Sequence, residues 1–480
     1  MHKTFFSNLI LILLLNVLIK PLFIFGVDIQ IQNRVGPEDY GMYFTLLNFS
    51  FLLNMFLDIG ITNFNTKHTA QHPETVPKYI GSYLGLKGIL GLFYAGLTIG
   101  GALLIGYSNL EIHFLCFFVL NQLLAGMIFY LRSNFSGLHL FKVDALLSVL
   151  DRSILIIICM GLLYGSWSSE PFQIEWFIYA QTIAYGISLL IAILLTRIKI
   201  GKIKIRVKQL FSIAVLKKST PFAILILFMM LYTRMDAVML ERLLPDGKKE
   251  AGIYAQGFRL LDVVNMFAFL IAGLLLPIFA RLIGEKKSVL PVLQTASKFL
   301  IGISLLVGIV FAIHAKELLS FIYVNNVSYS STIFFWIILS FIPLSFSHIF
   351  GTLLTANHNL KVLNIMALCG IGINLTLNFI LIPLFAAKGA AIATITTQSI
   401  TALTQFIFVF YIFRFSIHWS NVLRIISFAV LLISGTLLSH QYLGQWSIFY
   451  TFIGGGILLF ALRLIDFKNL VDLLPSQKKD

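Results

Sequence analysis

Residues 41–56 read GMYFTLLNFSFLLNMF, and residues 252–267 read GIYAQGFRLLDVVNMF. A shift of 211 positions lays Gly41, Tyr43, Asn54, Met55 and Phe56 on the identical residues Gly252, Tyr254, Asn265, Met266 and Phe267. A second stretch agrees at a shift of 219, where His139, Lys142 and Val143 meet His358, Lys361 and Val362. Agreement at two separate places and at nearly the same shift marks an internal duplication. Whatever the first half of the chain builds, the second half builds again.

What is built follows from composition. Of 480 residues, 58% are hydrophobic and 11% charged, and the mean hydropathy is +0.92. A soluble domain carries about 25% charge, which excludes that class. Apolar stretches long enough to cross a bilayer run over 5–31, 40–65, 80–107, 110–131, 143–166, 172–196 and 211–240. A second series runs over 251–280, 299–315, 330–357, 362–384, 389–413, 425–443 and 444–462. Each holds the roughly 20 apolar residues that one helical crossing needs. The expected fold is therefore an all-α polytopic membrane protein of about 14 transmembrane helices. The first run passes through Pro21 without a small-residue cleavage site, so it reads as a retained helix and not a signal peptide.

Six spans per repeat is an even number, so the two copies point the same way, related by an axis along the membrane normal. Residues 1–198 are then an N-terminal six-helix lobe and 199–210 a basic linker. Residues 211–414 form the second lobe, and 415–480 an extra helix pair with a tail. Two lobes with a cleft between them suit a transporter that alternates between two open states. No loop is long enough to form a soluble catalytic domain, so transport outranks catalysis.

The net charge of +15 reads as topology and not as nucleic-acid binding. Sorted by these spans, with Lys217 and Lys218 at the edge of the seventh counted with the loop before it, 24 Lys and Arg fall on the side of the N-terminus, 6 on the far side and 5 inside. Cytoplasmic loops collect basic residues, so both termini are expected in the cytoplasm. The region between the sixth and seventh spans is the densest, with Arg197, Lys199, Lys202, Lys204, Arg206, Lys208, Lys217 and Lys218. Cys116, Cys159 and Cys369 each stand alone in apolar runs, which suggests buried core thiols and neither a disulfide nor a zinc site. No cofactor is expected.

Ionisable side chains at membrane depth are functional candidates by default. The bases are Lys20, Lys87, Arg152, Arg234 and Arg259, drawn from five spans in both lobes. If they converge they make a cationic chamber for a phosphate or diphosphate, to which arginine adds forked hydrogen bonds. Lys20 lies near the middle of the first span and precedes Pro21, which removes a backbone hydrogen bond and kinks the helix. The acids are Asp28, Asp58, Asp151, Asp236 and Asp262. Arg259 and Asp262 are three apart and can neutralise each other on one face, whereas Arg234 and Asp236 are two apart and cannot. Gly36-Pro37-Glu38-Asp39-Tyr40-Gly41 reads as a far-side turn with proline at a helix start.

The stretch Asn33-Arg34-Val35-Gly36-Pro37-Glu38-Asp39-Tyr40-Gly41-Met42-Tyr43, followed by Leu57-Asp58-Ile59-Gly60-Ile61, resembles the opening signature of the bacterial polysaccharide transport family. Arg234-Met235-Asp236-Ala237-Val238-Met239-Leu240 and Ala251-Gly252-Ile253-Tyr254-Ala255 resemble its seventh span and the start of its eighth. These are the O-antigen and lipid-linked oligosaccharide flippases of the multidrug/oligosaccharidyl-lipid/polysaccharide exporter superfamily. The resemblance covers residues 1 to about 415. It implies two six-helix lobes in a V and a cell-membrane location. The implied substrate is an undecaprenyl-diphosphate-linked oligosaccharide, held in a basic lumen and moved from the inner to the outer leaflet. It further implies coupling to a proton or sodium gradient, for which Asp28, Asp58, Asp236 and Asp262 are the candidates. Membrane lipids and other polysaccharide assembly proteins are the remaining expected partners. Two readings compete: a multidrug exporter of the related toxin-extrusion family, which would have a more acidic chamber, and a membrane glycan polymerase or ligase, which would carry a large outer loop.

Overall fold

The computed structural model describes residues 15–165, 171–201, 209–416 and 419–465. The described residues contain no strand and are almost entirely helical. Ten helices are long and apolar enough to cross a membrane. Two of them are broken within, Leu15–Leu52 at Gly36 and Leu360–Phe413 at Ala386. Splitting these two, and adding the 35-residue helix Gln209–Leu243 and the shorter apolar helix Ser447–Ala461, gives the fourteen segments that hydropathy predicts.

The helices are α1 (Leu15–Leu52), α2 (Ile61–Gln71), α3 (Val76–Ile105), α4 (Asn109–Gly137), α5 (Phe141–Tyr164), α6 (Ile174–Lys199) and α7 (Gln209–Leu243). There follow α8 (Gly247–Gly284), α9 (Leu290–Ile313), α10 (Ala315–Ile322), α11 (Val327–Leu339), α12 (Phe341–Ala356), α13 (Leu360–Phe413), α14 (Trp419–Leu443) and α15 (Ser447–Ala461). Their outward faces carry exposed Leu92, Leu104, Ile157 and Leu194. That pattern is wrong for water and right for lipid, where the helix satisfies every backbone group internally.

The chain divides into two compact units, Met1–Gly252 and Ile253–Asp480. The first has a core of Tyr83, Leu86 and Leu90 from α3, Tyr130, Leu131 and Phe135 from α4, Leu147 from α5 and Ala192 from α6. Helix α7, expected from the repeat to open the second lobe, packs along α1 within the first unit. Most of the basic linker, residues 202–208, lies outside the described residues. In the second unit, Ile301, Leu305 and Val310 of α9 pack on Phe428 and Leu432 of α14 and Leu459 of α15. The extra helix pair is thus part of a core. A Cβ on Gly455 would lie 2.4 Å from the Leu306 side chain, so the absence of a side chain there sets how closely α15 approaches α9.

Three irregularities in α1 and after it matter for the site. The helix continues through Pro21 and passes into a π-helical turn, Ile24–Asp28, where the Ile29 N–H reaches back five residues to Ile24 O. Gly36 has φ 81° and ψ 174°, a conformation open to glycine, and Pro37 restarts the helix after it. The third irregularity corrects the hydropathy reading of 40–65 as one unbroken span. The helix stops at Leu52, passes through a 3-10 turn at Asn54–Leu57, and resumes at Ile61 after Ile59 and Gly60 with φ 43° and 75°.

Candidate functional site

The break between α1 and α2 presents Asp58 toward α3. The Lys87 ammonium reaches its Oδ1 at 2.5 Å and Leu57 O at 3.4 Å. The Thr62 hydroxyl donates to Oδ1 at 2.5 Å and the Thr62 N–H to Oδ2 at 3.1 Å, so Asp58 also caps the first turn of α2. Lys87 is only 3% exposed. Breaking the helix here frees backbone groups that an apolar environment cannot satisfy, and the carboxylate and ammonium satisfy them together. Beside the pair lies a cavity of about 370 Å³ lined by Asn54, Asp58, Lys87, Gln122, Gly126 and Met230, all within the first unit. Asn54 donates to Gln122 Oε1 at 3.3 Å across it.

A second group gathers where α1, α5 and α6 meet. Arg152 sits 3.6 Å from Asp151, donates to the Tyr185 hydroxyl at 3.4 Å, and lies over the Phe23 ring at 4.8 Å. Asp28 and Tyr43 are within its electrostatic reach. Lys20 is half-buried and feels Asp151 together with the cations of Arg152 and Arg132. Asp28 itself is 1% exposed and accepts from the Tyr40 hydroxyl at 2.9 Å. Here two of the five predicted bases and one of the four coupling acids do converge, on the π-helical turn.

The other predicted residues have neighbours of their own. Arg234 of α7 donates to Asn48 Oδ1 at 3.4 Å and covers the Phe51 ring at 5.6 Å. Asp236, two residues on, is buried beside the Thr45 to Ala237 contact between α1 and α7. Arg259 and Asp262 face each other at 3.9 Å in the second unit, at the three-residue spacing read from sequence. Of the cysteines, Cys159 is buried as expected, but Cys116 and Cys369 are exposed, Cys369 beside a cavity with Thr401 and Phe408. An apolar thiol is at home facing lipid, which hydropathy cannot tell from core.

Sequence reasoning missed a third cluster, at the far-side ends of α3, α4, α7 and α8. The Tyr107 hydroxyl donates to Glu241 Oε2 at 3.1 Å, and Arg242 lies over the Tyr107 ring at 3.6 Å. Glu111 takes Lys248 at 2.8 Å and Arg242 at 3.8 Å. Ser108 and Glu111 also form a capping box on α4. The Ser108-x-x-Glu111 spacing was a visible signal. In the same region the amide of Gln32, the residue just before the first family-like stretch, donates to Gly252 O of the second at 2.9 Å.

A family model described as polysaccharide biosynthesis protein matches residues 6–283, and one described as MatE matches residues 221–380. The solved structure described as lipid II flippase MurJ in an inward closed conformation is similar over 96% of this chain and 100% of its own, with a TM-score of 0.73 at 16% identity. An inward-facing multidrug resistance MATE family transporter of the MOP superfamily is similar over 85% and 95%, with a TM-score of 0.62 at 12% identity. A mutant form of the Vibrio cholerae MATE transporter VcmN is similar over 84% and 97%, with a TM-score of 0.54 at 14% identity. At such identities the likeness is one of fold. No curated protein sequence matches the chain.

Proposed function

We propose that this chain, which belongs to the polysaccharide biosynthesis protein family, is a flippase that moves an undecaprenyl-diphosphate-linked oligosaccharide, an O-antigen, capsule or exopolysaccharide unit, from the inner to the outer leaflet. What supports the reading is the family match, together with Lys20 and Arg152 in one neighbourhood among helices long and apolar enough to cross a membrane. A diphosphate crossing about 30 Å of hydrocarbon needs compensating charge, while its prenyl tail is at ease in lipid. Lys20 and Arg152 are the first contacts in this reading, with Lys87, Arg234 and Arg259 further along the route. Arg152 is steadied by Tyr185 and Phe23 and can offer forked hydrogen bonds to a phosphate. Asp28, Asp58, Asp236 and Asp262 are the carboxylates for coupling to a proton or sodium gradient.

The two six-helix repeats, 1–198 and 211–414, exchange access by alternating states, both termini are cytoplasmic, and the membrane is the cell membrane. No covalent step is involved. The test is analysis of lipid-linked sugars in a strain lacking the protein. Accumulation of one defined diphosphate-linked intermediate on the inner side supports the reading, and an unchanged pool refutes it. The MatE match over residues 221–380 favours a second reading, an ion-coupled multidrug exporter. That reading expects the same strain to become sensitive to cationic dyes while its lipid-linked sugars stay normal.

A further inference from the structure

The far side of the membrane from the N-terminus holds six of the 35 basic residues, Arg34, Arg242, Lys248, Lys249, Lys316 and Lys388. Three have partners there. Arg34 donates to Leu163 O at 2.5 Å, and Arg242 and Lys248 face Glu111. Lys316 and Lys388 have no hydrogen-bond or ion-pair partner among the described residues, yet both line one cavity of the second unit. It is a shallow, open cavity of about 360 Å³, with Ser331, Thr332, Phe335 and Trp336 among its other lining residues. Among the described residues no carboxylate lines it. Glu317, next to Lys316 in sequence, is turned to His440 at 3.0 Å.

The position of Lys388 is built into the backbone. It follows Ala386, which has φ 49° and ψ −134°, a strained conformation for a residue with a Cβ. Gly389 comes next, and a Cβ there would lie 2.1 Å from Leu381 O. This tight turn fixes where Lys388 emerges. Lys316 stands on α10, which buries Ala315 and Leu319 and leaves Phe321 91% exposed. A short helix with one buried face and an exposed phenylalanine lies along a membrane surface. A cavity beside such a helix, lined by Phe335 and Trp336, suits headgroup depth, where aromatic rings collect.

We propose that Lys316 and Lys388 form a binding site for the phosphate of an anionic phospholipid headgroup. Two ammonium groups held on separate elements, without a carboxylate between them, attract a phosphodiester. Ser331 and Thr332 already donate to Ser328 O and Tyr329 O, each at 2.8 Å, so the lysines supply the charge. Phe335 and Trp336 contact the glycerol and first acyl carbons. The commitment to a lipid rests on Phe321 and the rings, which a free phosphate does not use. The site is independent of the transport reading.

The purified full chain in detergent is titrated with dioctanoyl phosphatidylglycerol, dioctanoyl phosphatidylcholine and inorganic phosphate, and binding is read from the rise in melting temperature. The wild type is expected to bind phosphatidylglycerol best. The double variant Lys316→Gln, Lys388→Gln should melt normally without lipid and bind phosphatidylglycerol about thirtyfold more weakly, the scale expected for two basic residues at a headgroup surface. Lys249→Gln removes a far-side lysine outside the cavity and should change nothing. Unchanged affinity in the double variant, an equal loss in Lys249→Gln, or inorganic phosphate binding as tightly as the lipid would each overturn the proposal.

Discussion

Gly41 and Gly252 bring two helix backbones into contact: a Cβ on Gly41 would lie 1.7 Å from Lys248 O, and one on Gly252 would lie 1.8 Å from Pro37 O. The 211-residue shift that aligns the two glycines also aligns Pro37 with Lys248. Each glycine thus faces the carbonyl four residues before the other, a reciprocal crossing of α1 and the start of α8 about a local two-fold. Small residues at a membrane helix crossing let backbones approach this closely. The duplication seen in sequence has a physical meeting point.

Alanine at either glycine has no room, and the nearest neighbours are backbone atoms that cannot rotate away. Gly252→Ala is expected to destabilise the crossing by about 1–3 kcal/mol, the usual cost of overpacking. Met42, now 7% exposed, should become more reactive when replaced by cysteine and labelled from the far side. Unchanged labelling and unchanged melting in Gly252→Ala would show that the two helix ends do not depend on this contact.

Lys87 and Asp58 invite a double-mutant cycle. Removing one partner of a fully buried ion pair costs about 3–5 kcal/mol, and less is expected here because Asp58 is 32% exposed; a matched neutral pair recovers much of it. Lys87→Gln should lower the melting temperature clearly, and Asp58→Asn with Lys87→Gln should restore most of it. The carboxylate also caps α2, so Asp58→Asn, which keeps a capping oxygen, should be milder than Asp58→Ala. If Lys87→Gln melts like the wild type yet abolishes export, the lysine belongs to the substrate route and not to the broken helix.

Lys20 and Arg152 make the opposite case. They share a neighbourhood with Asp151 and Asp28, and among the described residues Lys20 has no hydrogen-bond or ion-pair partner of its own beyond this shared field. Neutralising it strands no single carboxylate. Lys20→Gln is expected to keep normal melting while lowering glycan export at least about tenfold, as loss of a charge-assisted contact to phosphate would. A large fall in melting with export per folded molecule unchanged would assign Lys20 to structure.

Hydropathy and charge carried the spans, because lipid imposes length and apolarity on every crossing segment and leaves little choice. Pro37 after Gly36 was legible for the same local reason, as a proline-marked helix start. The stop at Leu52 was not, because Leu57-Asp58-Ile59-Gly60 averages to an apolar run, and the break is made by positive φ at Ile59 and Gly60. The Arg259 and Asp262 pair could be read from spacing since both sit on one helix. Lys87 with Asp58, and Tyr107 with Glu241, join residues 29 and 134 positions apart. Which distant helices face each other is decided by packing of nearly uniform apolar surfaces, and a single sequence does not encode that pairing in any local pattern.

Glu111 links the missed cluster to the glycine crossing. Its carboxylate holds Lys248, whose carbonyl is the atom set against Gly41, and it also accepts from the Ser108 N–H at 2.7 Å to cap α4. The two roles separate by substitution. Glu111→Gln keeps an acceptor for Ser108 and removes the charge, leaving Lys248 without its partner and Arg242 with Glu241 alone at 3.9 Å. Glu111→Ala removes both, and losing a helix cap adds about 1 kcal/mol. Labelling of cysteine at Met42 should therefore rise in Glu111→Gln, since the turn bearing Lys248 is no longer tethered, and rise little further in Glu111→Ala. Melting should fall in two steps, with the second step reporting the cap. If Glu111→Gln leaves labelling at the wild-type level, the Lys248 bridge does not position the crossing, and van der Waals contact at Gly41 and Gly252 holds it alone.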